Sequence, residues 1–79
     1  MTYTIPFSVE EKPQLCLIEL FDLSQQYIIA EIYRQECQPG AHSVEFDPSI
    51  VEDGLEAGVY ILRITIGNHS EAYPFRYMP

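Results

Sequence analysis

Basic residues are scarce in this chain. Four Lys and Arg stand against 12 Asp and Glu, for a formal net charge of −8. A protein that neutralises nucleic-acid phosphates needs clustered Lys and Arg, so nucleic-acid binding is not expected. Docking on an anionic membrane surface is disfavoured on the same ground. Tryptophan is absent, and there are only two cysteines, Cys16 and Cys37. They form no CxxC and no Cys/His spacing of the zinc-site type. No apolar run approaches the roughly 20 residues of a membrane span. The opening Met1-Thr2-Tyr3-Thr4-Ile5-Pro6 has neither a basic stretch nor a long apolar core, so no secretory signal is read there and the compartment stays open. P-loop, dinucleotide and metalloprotease motifs are missing. So is any sustained helical periodicity between caps.

What is there is strand-like. The chain has 79 residues, the size of one small domain spanning 1–79. At 47% hydrophobic and 13% aromatic it is too apolar for disorder. Alternation and turn residues predict six strands: Thr2–Val9, Gln14–Asp22, Tyr27–Gln35, His42–Asp47, Val59–Ile66 and Ser70–Tyr77. Pro6 suggests an edge strand or a bulge. Gln38-Pro39-Gly40 and Gly67-Asn68-His69 mark turns, and Pro48–Gly58 reads as a loop. Short strands at this spacing predict an all-β fold, a small antiparallel sandwich or barrel.

Several stretches then match a known pattern in order and spacing. Tyr3-Thr4-Ile5-Pro6-Phe7-Ser8-Val9 resembles the opening strand of the immunoglobulin-like domains at the C-termini of type IX-secreted bacterial proteins. The flagellar hook-cap immunoglobulin-like domain is similar. The resemblance continues through Leu20-Phe21-Asp22-Leu23-Ser24 and through Pro39 to Asp47. It is most specific at Leu55-Glu56-Ala57-Gly58-Val59-Tyr60-Ile61-Leu62-Arg63-Ile64. Its signature positions here are Gly40, Asp47, Gly58 and Tyr60. The resemblance implies an immunoglobulin-like (fibronectin III-like) sandwich of about six to seven strands, with the second and fifth strands as neighbours in one sheet. Gly58 would start a strand where a Cβ is unwelcome. Tyr60 would bury its ring and keep its hydroxyl at a partner. The chain departs from the family in three places. Gln25-Gln26 replace the usual Gly, Phe46 replaces a Trp, and the last strand lacks the Lys of the sorting version.

Candidate chemistry is thin. Cys37 and His42 lie five residues apart, which makes a thiol–imidazole pair conceivable. The simpler reading is a buried Cys16, a separate loop thiol at Cys37 and unrelated neighbours. A Cys16–Cys37 disulfide is the alternative, closing a loop of about 20 residues. Asp47, Glu52, Asp53 and Glu56 make an acidic loop. Its spacing is not that of an EF-hand, and a solvated loop is expected in place of a calcium site. No cofactor and no catalytic residue is assigned.

Apolarity on both faces of two strands is more informative. A one-sided sheet alternates polar and apolar residues. In Leu15-Cys16-Leu17-Ile18-Glu19-Leu20-Phe21-Asp22, one face carries Cys16, Ile18 and Leu20, the other Leu15, Leu17 and Phe21. The fifth strand puts Tyr60, Leu62, Ile64 and Ile66 on one face and Val59 and Ile61 on the other. Tyr73, Phe75 and Tyr77 form an aromatic stripe read as a core face. Leu15, Leu17, Phe21, Val59 and Ile61 are therefore the candidate partner-binding residues. The expectation is a non-enzymatic protein-interaction module, an accessory or structural subunit docking on another protein or assembly. Self-association is open, and neither nucleic acid nor membrane insertion is expected. The alternative is a sorting domain for type IX secretion.

Overall fold

The computed structural model describes residues 2–51 and 54–78. Six strands follow one another: β1 (Tyr3–Val9), β2 (Gln14–Phe21), β3 (Ile28–Cys37), β4 (Gly40–Phe46), β5 (Gly58–Ile66) and β6 (His69–Tyr77). One 3₁₀ turn, Pro48–Ile50, follows β4. All pairings are antiparallel. The strands form a two-stranded sheet, β1-β4, and a four-stranded sheet in the order β3-β2-β5-β6. The fold is a small all-β sandwich, as the alternation predicts. β2 and β5 are indeed neighbours.

Alternation decides the core. Ile5 and Phe46 from the small sheet meet Ile18, Leu20, Leu62 and Ile64 from the large one, and Val51 closes the cluster behind the 3₁₀ turn. Burying each such side chain contributes about 1.5–3 kcal/mol. β1 crosses the large sheet obliquely. Its first residue, Tyr3, stacks edge-on against Phe75 of β6 at 4.9 Å. Its Phe7 lies 6.2 Å from Tyr33 of β3. Its last residue, Val9, packs with Cys16 and Cys37.

β3 is irregular. Its register on β2 slips twice, so that Ile32 and Ile29 are extra residues between paired positions. A bulge lets consecutive side chains turn the same way. Ile32 with Tyr33, and Ile29 with Ala30, accordingly all pack on the core.

The turns show local chemistry. The Asp22 carboxylate accepts from the backbone N–H of Gln26 at 3.0 Å and of Tyr27 at 2.9 Å, and from the Ser24 hydroxyl. Those donors favour the charged form and hold its pKa below the usual carboxylate range, the Ser24 hydroxyl first. Within that turn Gln25 adopts a positive φ of 61°. This is where the resembled family carries Gly. Gln25 offsets the awkward backbone with a contact of its own: its Oε1 accepts from Arg63 Nη2 at 2.7 Å. Asp47 caps the 3₁₀ turn by accepting from the Ser49 N–H at 2.9 Å.

Candidate functional site

The outer face of the four-stranded sheet, turned away from β1-β4, collects the side chains that alternation rejects from the core. Leu15, Leu17, Glu19 and Phe21 of β2 stand there beside Val59, Ile61, Arg63 and Thr65 of β5. Phe21 lies directly opposite Ile61, and Leu17 opposite Thr65. On the flanks, Ile28 faces Phe21 and Pro74 faces Ile61. Leu15 is 49% exposed, Ile28 58% and Val59 36%. Leu17, Phe21 and Ile61 are half-buried.

The five candidate residues thus share one face, but register divides them. Phe21, Val59 and Ile61, joined by Ile28 and Pro74, form one apolar group. Leu15 and Leu17 form a second. Between them runs a cross-strand row of Glu31, Glu19, Arg63 and Ala72. Arg63 leans out of this row toward Phe21, its guanidinium 5.1 Å from that ring centre, a cation–π contact. Arg34 pairs with Glu31 at 2.8 Å. That carboxylate raises the Arg34 pKa, with Glu19 adding to it. The face is therefore apolar at both ends with an ordered charged belt across it. Arg63 and Ile28 are members of this surface that reasoning along single strands missed. Their grouping depends on cross-strand register.

The four signature residues take up backbone roles. Gly40 and Gly58 have φ of 128° and 157°, a region that favours glycine. The Tyr60 ring packs against the core, and its hydroxyl donates to the Glu56 carbonyl at 2.6 Å. This ties the start of β5 to the loop before it.

The expected loop thiol is corrected. Cys37 ends β3 and is buried, 5% exposed, beside Cys16 and Val9. The two bulges carry β3 beyond its expected end at Gln35. Both thiols are free. Burial and the neighbouring Cys37 push the Cys16 pKa up to about 11, and Cys37 shares a 3.2 Å hydrogen bond with the Tyr33 hydroxyl. The imidazole of His42, five residues on, is engaged elsewhere. His42 stacks on Phe7 with ring centres 5.3 Å apart and bonds the Gln38 carbonyl through Nε2 at 2.6 Å. No thiol–imidazole pair is assembled. Within the acidic loop, Glu52 and Asp53 lie outside the described residues. Among the described residues, no group of three or more His, Cys, Asp or Glu side chains is placed to hold a metal ion.

A second surface feature lies on the opposite side of the large sheet. Among the described residues, β1 is paired only on its β4 side. Along its other edge runs an open groove over the inner face of β5 and β6. One stretch, about 420 Å³, is walled by Tyr3, Ile5, Leu62 and Phe75. The next, about 500 Å³, is walled by Ser8, Glu10, Ile66, His69 and Glu71. Pro6, Ile64 and Tyr73 line both, so the two stretches are continuous.

Compared with protein-family models, curated proteins and solved structures, the chain matches none.

Proposed function

We propose that this domain is a non-enzymatic protein-interaction module that docks on another protein through the outer face of β2 and β5. The observation that carries the reading is that face itself. Phe21, Ile28, Val59 and Ile61 are grouped across β2, β3 and β5, with Ile28 and Val59 exposed. An apolar group rimmed by polar residues on a small domain marks an interaction site. The Glu19–Arg63 belt supplies the polar marks that fix register with a partner. The net charge of −8 speeds encounter with basic partners and opposes pairing of two copies.

The immunoglobulin-like reading draws support from the strand order. A sandwich with strands C′, C, F and G in one sheet and B and E in the other has the same connectivity. Tyr60 supports it too, since its hydroxyl bonds backbone a few residues upstream at the start of an F-like strand. On this reading the chain is an accessory or structural subunit.

A photo-crosslinking residue in place of Ile61, in cells that make the protein, tests the function. A defined adduct is expected from position 61 and from position 17, and none from Glu45 on the small sheet. Adding Leu17→Lys to the position-61 crosslinker should remove it. Adducts of equal yield from all three positions would refute the proposal.

The type IX sorting reading rests on the Leu55–Ile64 resemblance. A reporter fused to this chain that stays in the periplasm of a type IX-secreting host would sink it.

A further inference from the structure

The groove beside β1 is a seat for one more strand. We propose that it takes an extended peptide segment of another protein, added to the open edge of β1 as a third strand of the small sheet. The segment carries apolar residues at alternate positions and a basic residue at one end.

Three observations carry this. The first is the backbone. Edge strands present unpaired N–H and C=O groups that template another strand. The ladder from β1 to β4 runs unbroken through Pro6. A proline keeps such a place with its nitrogen turned away from the partner strand. By alternation, Thr4 and Ser8 then offer N–H and carbonyl groups to the open edge, and Pro6 offers its carbonyl. Pro6 deletes one donor, which guards the edge against indiscriminate pairing.

The second is coverage. Among the described residues, the four-stranded sheet is opposed by two strands. The groove floor is made of core-face side chains, Leu62, Ile64 and Phe75, with Tyr73 45% exposed above them. An added strand sends every second side chain onto this floor. In the seven-strand arrangement that matches this connectivity, the position beside B is held by strand A.

The third is charge. One end of the groove is apolar, at Tyr3 and Phe75. The other carries Glu10 and Glu71. The Tyr73 hydroxyl and His69 bond the Glu71 carboxylate and hold its pKa below the usual range, so it stays ionised. A strand antiparallel to β1 would begin at this acidic end, and its basic residue is therefore N-terminal. A second copy is a poor occupant, because it brings another net charge of −8. The groove and the outer face lie on opposite sides of the large sheet, so this inference does not rest on the docking face.

The test is an NMR titration with an acetylated, amidated heptapeptide, Lys-Thr-Val-Thr-Ile-Thr-Val. Shifts are expected at the amides of Thr4, Ser8, Ile64 and Tyr73. N-methylating alternate peptide amides should abolish them. Ser8→Pro removes an edge donor without touching the β4 ladder, and should weaken binding at least fivefold with the melting temperature retained. Should Ser8→Pro fail to fold, Glu71→Lys serves: it should weaken the Lys peptide and strengthen the same peptide begun with Glu. Leu17→Lys with Ile61→Lys should leave binding unchanged, which separates this site from the docking face. Absence of shifts, shifts confined to the outer face or to β4, or a peptide-independent dimer at this edge would each overturn the proposal.

Discussion

Gly58 offers a clean separation of backbone strain from steric clash. Its φ is 157°, where L side chains rarely sit, and it pairs with Tyr77 at the first rung of β5 on β6. A Cβ built there meets no atom within 4 Å. The cost of Gly58→Ala therefore comes from the backbone alone. Such a conformation costs of order 1–3 kcal/mol for a non-glycine residue. Lower entropy of the unfolded chain returns about 0.4–1 kcal/mol. A net loss of about 1–2 kcal/mol remains, and at about 4–8 °C per kcal/mol for a domain of this size the midpoint falls by roughly 5–15 °C. Because the space is open, Gly58→Ser should cost about the same. Thermal melts of the three proteins by circular dichroism supply the measurement. Ala and Ser variants as stable as the wild type would refute the positive φ. A loss that grows with side-chain size would refute the open space.

Two further outcomes concern the core. Tyr60→Phe removes the hydrogen bond to the Glu56 carbonyl but keeps the ring. A stability loss of about 0.5–1.5 kcal/mol is expected in urea unfolding with an unchanged m-value. A null effect would mean the tie is not made in solution. Cys16, with a pKa of about 11 against an ordinary 9.0, is about one part in a thousand thiolate at pH 8, where an ordinary thiol is about one part in ten. Alkylation by iodoacetamide in the folded protein should be at least about a hundredfold slower than after unfolding. The raised pKa also sets the sign of the linkage: its contribution to stability is complete below about pH 9 and is lost as pH rises toward 11. Rapid labelling of the native protein would contradict the burial.

Much of the fold was legible along the chain, and the reasons are local. Alternation in His42–Asp47 and Val59–Ile66, with Pro and Gly between, located β4 and β5 to within two residues. The end of β3 was not legible. The two bulges put Ile29 and Ile32 beside inward neighbours, which breaks the two-residue period and extends the strand to Cys37. The burial of Cys37 was missed for the same reason. The Asp22 turn forms without glycine because Asp22 and Ser24 bond its backbone and Arg63 holds the Gln25 side chain. That last contact spans 38 residues and leaves no local trace. Alternation puts the five candidate docking residues on one side of their strands, and the register keeps them there. That Glu19 and Arg63 divide them became visible only once β2 and β5 were in register. The groove along β1 has no sequence signal of its own, since it arises from two strands lying over four.

The most direct test of the docking face uses the partner that Ile61 crosslinks to. Its affinity for the wild type is compared by calorimetry with that for the chain carrying Leu17→Lys and Ile61→Lys. Both side chains lie on the outer face, so the variant should keep its circular dichroism spectrum. The account predicts at least a hundredfold loss of affinity in a folded variant, while Ser8→Pro, on the far side of the sheet, binds as the wild type does. Unchanged affinity in the Lys variant would contradict it.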